Sequence, residues 1–317
     1  MASLQYALRS VFKDCLNILQ NETVLIIADE PLTEMGRLFH EESKKINNYS
    51  TLLLLPKIPN NDCNLPQGVT SLMSTSDAVI LITSRSFSHT KARHHASHCG
   101  ARIASLPGIH ADSLMRTLTG NYESIINKSC KLADILTIGR SAHLTTPAGT
   151  NLTFSLARMR GYADTGMVHK PGQFSNIPAG EGSAAPVQGS TQGILIIDGS
   201  FPTIGMIKTP VHMTVKDGQV VRISGGEEAD TIRNLLKPFG RLGRNIAEIG
   251  IGTNPRAKLT GYTLEDEKTL GTVHVGLGNN ISFGGKISIS CHFDGVLLNP
   301  TLVIDGKTIL ENGELQV

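Results

Sequence analysis

The sequence predicts an α/β plus α+β chain: an N-terminal doubly wound parallel-sheet domain over residues 1–140, then a β-rich, hairpin-containing domain over 141–317. Three observations predict it. The first part alternates near-continuous apolar runs with helical periodicity, the pattern of strands covered on both faces. The second part carries Asp-Gly and Asn-Gly between short apolar runs, the strongest short-range hairpin signal. The length of 317 residues, at about 100–200 residues per domain, suits two domains.

In chain order, Thr23–Ala28 is a β-branched run that ends at Asp29-Glu30-Pro31. Leu32–Ile46 follows with Met35, Leu38 and Phe39 on one helical face. Strands are predicted at Thr51–Leu55, Ala78–Thr83 and Ala101–Leu106, with a helix over Thr90–Cys99. No GxGxxG follows the first strand and no Walker A pattern occurs, so this half is a poor site for a dinucleotide or nucleoside triphosphate. A long helix over Asn121–Gly139 bridges the halves. Beyond it, turns are predicted at Asp217-Gly218, Asp305-Gly306 and Asn312-Gly313, helices at Gly226–Pro238 and around Glu265–Leu270, and a strand over Lys286–Ser290.

Composition narrows the function. A balance of 29 basic against 27 acidic residues gives no electrostatic pull toward nucleic acid or an anionic membrane. The longest apolar runs fall far short of the ~20 residues of a spanning helix, and no signal peptide is evident at Met1-Ala2-Ser3-Leu4-Gln5. Cys15, Cys63, Cys99, Cys130 and Cys291 are odd in number and widely spaced without CxxC, which predicts reduced thiols in a cytoplasmic protein. The expected partner is a small peptide or other small molecule.

Four polar segments carry candidate chemistry. In Cys291-His292-Phe293-Asp294, a strand would put His292 and Asp294 on one face, an imidazole beside a carboxylate; the plain alternative is a surface His/Asp pair. His274 lies between valines in a glycine-rich strand, 18 residues before His292, and faces either core or site. Glu248 enters the apolar, glycine-rich run Ile249–Gly252, where a carboxylate needs a partner. Glu181 sits in a loop of small residues between Pro178 and Pro186. Taken singly, each glutamate reads as structural.

In order, NIPAGEGSAAP, AEIGIGTNP, EDEKTLGTVHVGLGNN and CHFDGV resemble the aminopeptidase T, aminopeptidase S and aminopeptidase II family of dinuclear metallo-aminopeptidases. Glu181 to Glu248 is 67 residues and Glu248 to His274 is 26. The resemblance implies that Glu181, Glu248, His274, His292 and Asp294 hold divalent metal, two ions of Zn, Co or Mn, and that the protein is a homo-oligomer. One departure matters: the family has a tyrosine seven residues after the strand histidine, and here position 281 is Ile281. The same scaffold resembles the 2,5-dihydroxypyridine 5,6-dioxygenases. That resemblance implies Fe(II) on His274, His292 and Asp294, with an acid/base histidine at His89 in Ser88-His89-Thr90. A helix cap by Ser88 or Thr90 is the plain reading of that segment.

The first expectation is therefore a hydrolase that removes N-terminal residues from peptides. Two metals lower the pKa of a water from 15.7 toward about 7, and Glu181 or Glu248 serves as general base. The alternative is a mononuclear ring-cleaving dioxygenase. Three carboxylates among five ligands favour the hydrolase; the absent tyrosine, a donor for the oxyanion, pulls toward the alternative.

Overall fold

The computed structural model describes residues 4–58, 65–88, 90–118 and 122–317. It divides into two units, Met1–Tyr122 with Gly166–Ala179, and Glu123–Thr165 with Gly180–Val317. The chain leaves the second unit after residue 165, returns to the first for 166–179, and goes back. A single boundary at 140 does not describe that path.

The first unit is built on a parallel sheet of five strands, in the order Tyr49–Leu55, Thr23–Asp29, Ala78–Ile82, Arg102–Ser105 and Phe174–Asn176. Both faces of it are covered, as the apolar runs require. Leu25 and Ile27 pack with Val69, Met73, Ala92 and Ala96 from the helices Gln67–Thr75 and Lys91–His98. Ala28 points the other way, onto Gly36 of the helix Thr33–Ser43, where an added β-carbon would lie 2.5 Å from the Ala28 Cβ.

The second unit has an antiparallel sheet of eight strands and another of five. The larger runs Gln219–Ser224, Val211–Lys216, Gln192–Ile197, Asn151–Ser155, Ser141–Thr145, Thr301–Ile304, Lys307–Glu311 and Glu314–Leu315. Its three predicted hairpins form as expected: both central residues of Asp217-Gly218, Asp305-Gly306 and Asn312-Gly313 have positive φ, +48 and +70, +48 and +80, and +46 and +84 degrees. That is the type I′ turn whose twist matches the flanking strands. The smaller sheet runs His292–Leu297, Val273–Gly278, Ile246–Gly252, Glu181–Ala184 and Tyr162–Asp164. One core joins Leu144, Leu195 and Met213 of the larger sheet to Ile249, Ile251, Val275 and Leu277 of the smaller, with Leu132 and Leu136 of the helix Tyr122–Ile138.

Three predicted features differ. Glu181, expected in a loop, instead opens the strand Glu181–Ala184 and pairs with Gly252. Lys286–Ser290 is not a strand. Its backbone is taken by two side-chain amides: Asn279 Nδ2 donates to the Ile289 carbonyl at 2.7 Å and Asn280 Oδ1 accepts from the Ile287 N–H at 2.8 Å. The helix near Glu265–Leu270 is one turn, Thr263–Asp266. The residues after it bond instead to Asn254, whose N–H donates to the Lys268 carbonyl and whose carbonyl accepts from the Leu270 N–H. Among the described residues, no helix is long and apolar enough to cross a membrane.

Candidate metal centre

The five-stranded sheet puts every ligand proposed for it on one face. Side chains alternate along a strand and share a face across paired positions. Glu248 pairs with Gly276, and Gly276 with Asp294; Gly250 pairs with His274; Gly278 pairs with His292; Gly252 pairs with Glu181. Glu181, Glu248, His274, His292 and Asp294 therefore project together, while Ile249, Ile251, Val273, Val275 and Phe293 project into the core. The glycines between the ligands clear the space. A β-carbon on Gly250 would lie 2.1 Å from His274 Nε2, and one on Gly276 would lie 2.8 Å from His292 Cε1 and 2.9 Å from both Asp294 Oδ1 and Glu248 Cβ.

The donors form two groups of three that share Glu248: Glu181, Glu248 and His274, and Glu248, His292 and Asp294, with ligand atoms inside each group within 4.8 Å of one another. His292 Nε2 stands 3.0 Å from Glu248 Oε2 and 3.1 Å from Asp294 Oδ1. Its other nitrogen, Nδ1, donates to the Asn279 carbonyl at 2.7 Å, so Nε2 is the nitrogen turned to the carboxylates and the one a metal would take. His274 Nε2 is 3.3 Å from Glu181 Oε2 and 3.9 Å from Glu248 Oε1. The site is deep: the His292 side chain is 6% exposed and Asp294 17%, which excludes the surface-pair reading.

Three residues that the sequence reasoning did not assign complete the surroundings. Lys268, buried, places Nζ 2.8 Å from Glu181 Oε2, 2.9 Å from Glu267 Oε1 and 3.4 Å from Asp164 Oδ2. The signal was present, since Glu267-Lys268 stand in EDEKTLGTVH immediately before the His274 strand, but a charge run ordinarily marks a solvated surface. His89 lies outside the described residues. Its neighbour Thr90 is a helix cap, the Oγ1 accepting from the Arg93 N–H at 3.3 Å. His94, His95 and His98 are exposed on that helix. Ile281, where the aminopeptidase resemblance expects a tyrosine, is 46% exposed.

Electrostatics show what the site asks for. Five carboxylates (Asp164, Glu181, Glu248, Glu267 and Asp294) surround one ammonium and two imidazoles, an excess of negative charge in a buried place. Burial opposes charge on His274, yet Glu181, Glu248, Asp294 and Glu267 outweigh it and push the imidazole up to about 9. His292 is raised well above its ordinary value against burial, by Asp294 and Glu248. Burial opposes the charge on Glu248, but the two imidazoles hold its carboxyl well below the usual range. Burial raises Glu181, and it pushes Glu267 up to about 8. Glu248 Oε1 is buried with no hydrogen-bond partner among the described residues. A divalent cation fits this set: its charge offsets the carboxylate excess, and carboxylate and imidazole donors suit Zn, Mn, Fe or Co.

A family model, NicX, 2,5-dihydroxypyridine 5,6-dioxygenase, matches residues 55–317. The chain belongs to that family. The matched span contains all five candidate ligands. A curated relative, the 2,5-dihydroxypyridine 5,6-dioxygenase of Pseudomonas putida (strain KT2440), is 26% identical over 194 residues, 57% of this chain and 55% of that protein. The aligned part thus spans about half the length of that relative. Two solved structures share the fold. The 2,5-dihydroxypyridine dioxygenase of Pseudomonas putida KT2440 superposes with a TM-score of 0.83 at 20% identity, covering 98% of this chain and 96% of that one. Wild-type AmpT from Thermus thermophilus gives 0.73 at 16% identity, covering 99% of each. The α/β plus α+β architecture of this chain is therefore one that both solved structures share.

Proposed function

We propose that this protein is a ferrous-iron oxygenase that opens the ring of a hydroxylated N-heteroaromatic of the dihydroxypyridine kind. His274, His292 and Asp294 are its iron ligands in this reading, and Glu248 lies beside them. The observation that carries it is the family match over residues 55–317, which includes every one of these residues. Two imidazoles and one carboxylate are the set that leaves positions open on non-haem iron. Iron, when bound, supplies the O2 chemistry that no side chain provides.

The chain's own groups do the rest. Asn279 fixes the His292 tautomer through its carbonyl. Phe283 lies tilted against His292, ring centroids 5.4 Å apart, and Tyr162 stands edge-on to Phe283 at 6.2 Å. Together they make an aromatic wall for a planar ring. Glu181, whose carboxyl burial raises, is the group suited to take up and return a proton. The decisive experiment is anaerobic reconstitution with Fe(II), followed by O2 uptake on 2,5-dihydroxypyridine. Uptake matched to loss of the pyridine absorbance, abolished in His292→Ala, is expected. Iron-loaded protein that consumes no O2 across a panel of dihydroxypyridines would overturn the reading.

One observation favours a second reading, a dinuclear hydrolase acting on small peptides: Glu248 belongs to both three-donor groups, as a bridging carboxylate would. Glu181 would then be ligand and general base for Zn, Co or Mn. Ile281 brings no hydroxyl for an oxyanion and weighs against it. Release of leucine from leucinamide by protein holding two ions per chain would establish it.

A further inference from the structure

We propose that Lys268 takes the place of a second metal ion, so that the centre holds one divalent cation per chain. The inference rests on the reading of this site as a metal centre. Three carboxylates lie within 3.4 Å of Nζ, namely Glu181, Glu267 and Asp164. An ammonium has three N–H groups, so this set saturates it. The oxygen it holds at 2.8 Å, Glu181 Oε2, is the same one that stands 3.3 Å from His274 Nε2.

A divalent ion bound through that oxygen would sit against a fixed positive charge in a buried place, where like charges repel strongly. The other donor group, Glu248, His292 and Asp294, contains no residue among the three that hold Lys268. Lys268 is also not free to swing away. Its carbonyl accepts from the Asn254 N–H at 2.8 Å. The chain at 268–269 passes directly over Gly252, where a β-carbon would meet the Thr269 carbonyl oxygen at 2.0 Å. Gly252 is thus the gap that lets the backbone at 268–269 lie close against the strand Ile246–Gly252.

Metal counting tests this on the full chain, with Mn(II) as the probe, by equilibrium dialysis with elemental analysis and by electron paramagnetic resonance. The wild type should take one Mn(II) and give the spectrum of an isolated ion. Glu181→Gln should still take one. Lys268→Met should take two, with the spectrum of a coupled pair, and Lys268→Arg one. Two ions on the wild type, no ion on Glu181→Gln, or one ion on a folded Lys268→Met would each overturn the proposal. If Lys268→Met does not fold, the wild-type and Glu181→Gln counts decide it. The outcome separates from the functional reading: one ion without O2 uptake sinks the oxygenase and leaves Lys268 in its role, and two ions with uptake does the reverse.

Discussion

The His274 imidazole lies across the bare α-carbon of Gly250, its partner in the neighbouring strand: a β-carbon at 250 would be 2.1 Å from Nε2 and Cε1. Gly250→Ala must therefore displace the ring. Mn(II) affinity should fall at least about tenfold, and the added methyl should cost about 1–3 kcal/mol of stability. Gly68→Ala is the control, since nothing lies within 4 Å of that position. Denaturant unfolding and metal titration of the two variants check both figures.

Phe283 meets His292 on one side and Tyr162 on the other. Phe283→Leu keeps an apolar side chain and removes the ring. If the substrate is a planar heteroaromatic, its anaerobic dissociation constant should rise about 2–10-fold, the worth of one aromatic pair. Metal content should stay unchanged. A rise seen equally with a leucine amide would place the effect outside aromatic recognition.

The metal-free protein should lose stability as pH rises. His274 is pushed up to about 9 in the fold, from about 6.5 in an unfolded chain. A raised folded value means that the stabilisation is fully present below pH 6.5 and is lost as pH climbs through 9. For this group the loss is on the order of 3 kcal/mol. Metal affinity should move the opposite way over the same window, because a ligating imidazole must give up its proton. Urea unfolding between pH 6 and 9.5, with and without Mn(II), should show curves that diverge as pH increases.

Asn245 is wholly buried, donates from Nδ2 to the Gly278 carbonyl at 3.0 Å and accepts from Gln188 Nε2 at 2.8 Å. Gly278 precedes Asn279, the residue whose carbonyl orients His292. Asn245→Ala leaves buried polar groups unpaired and should cost about 1–3 kcal/mol. Mn(II) binding should weaken with it, although the residue is no ligand. Unchanged Mn(II) affinity in a destabilised variant would show that the end of this strand does not govern the ligand.

What the sequence disclosed, it disclosed through local rules. Val24–Ala28 and Ala78–Ile82 read as buried strands because every residue in them is apolar, and a strand covered on both faces needs that. Asp217-Gly218 and its two counterparts read as hairpins because they demand positive φ. The ligand face was legible in part: His292 and Asp294 are two apart, and glycines stand beside each proposed donor. The rest depends on partners distant in sequence. The amides of Asn279 and Asn280 dissolve the expected strand at 286–290. The burial of Lys268 depends on Asp164 and Glu181, about a hundred residues earlier, and no periodicity marks it. Nothing in residues 166–179 announces that they rejoin the first unit.

That return has a consequence for how the molecule is made. The edge strand Phe174–Asn176 pairs with Arg102–Ser105, so the parallel sheet stays one strand short until residue 176 has left the ribosome. By then the helix Tyr122–Ile138 and the strands through Tyr162–Asp164 are already synthesised. Domains ordinarily complete in order as they emerge; here the first must wait while part of the second is already present, its hairpin Ser141–Ser155 included. A chain cut at 140 would carry an unpaired parallel edge, a surface prone to join its own copies. Residue 140 is thus no natural stopping point for expression, because the first unit still needs residues 166–179.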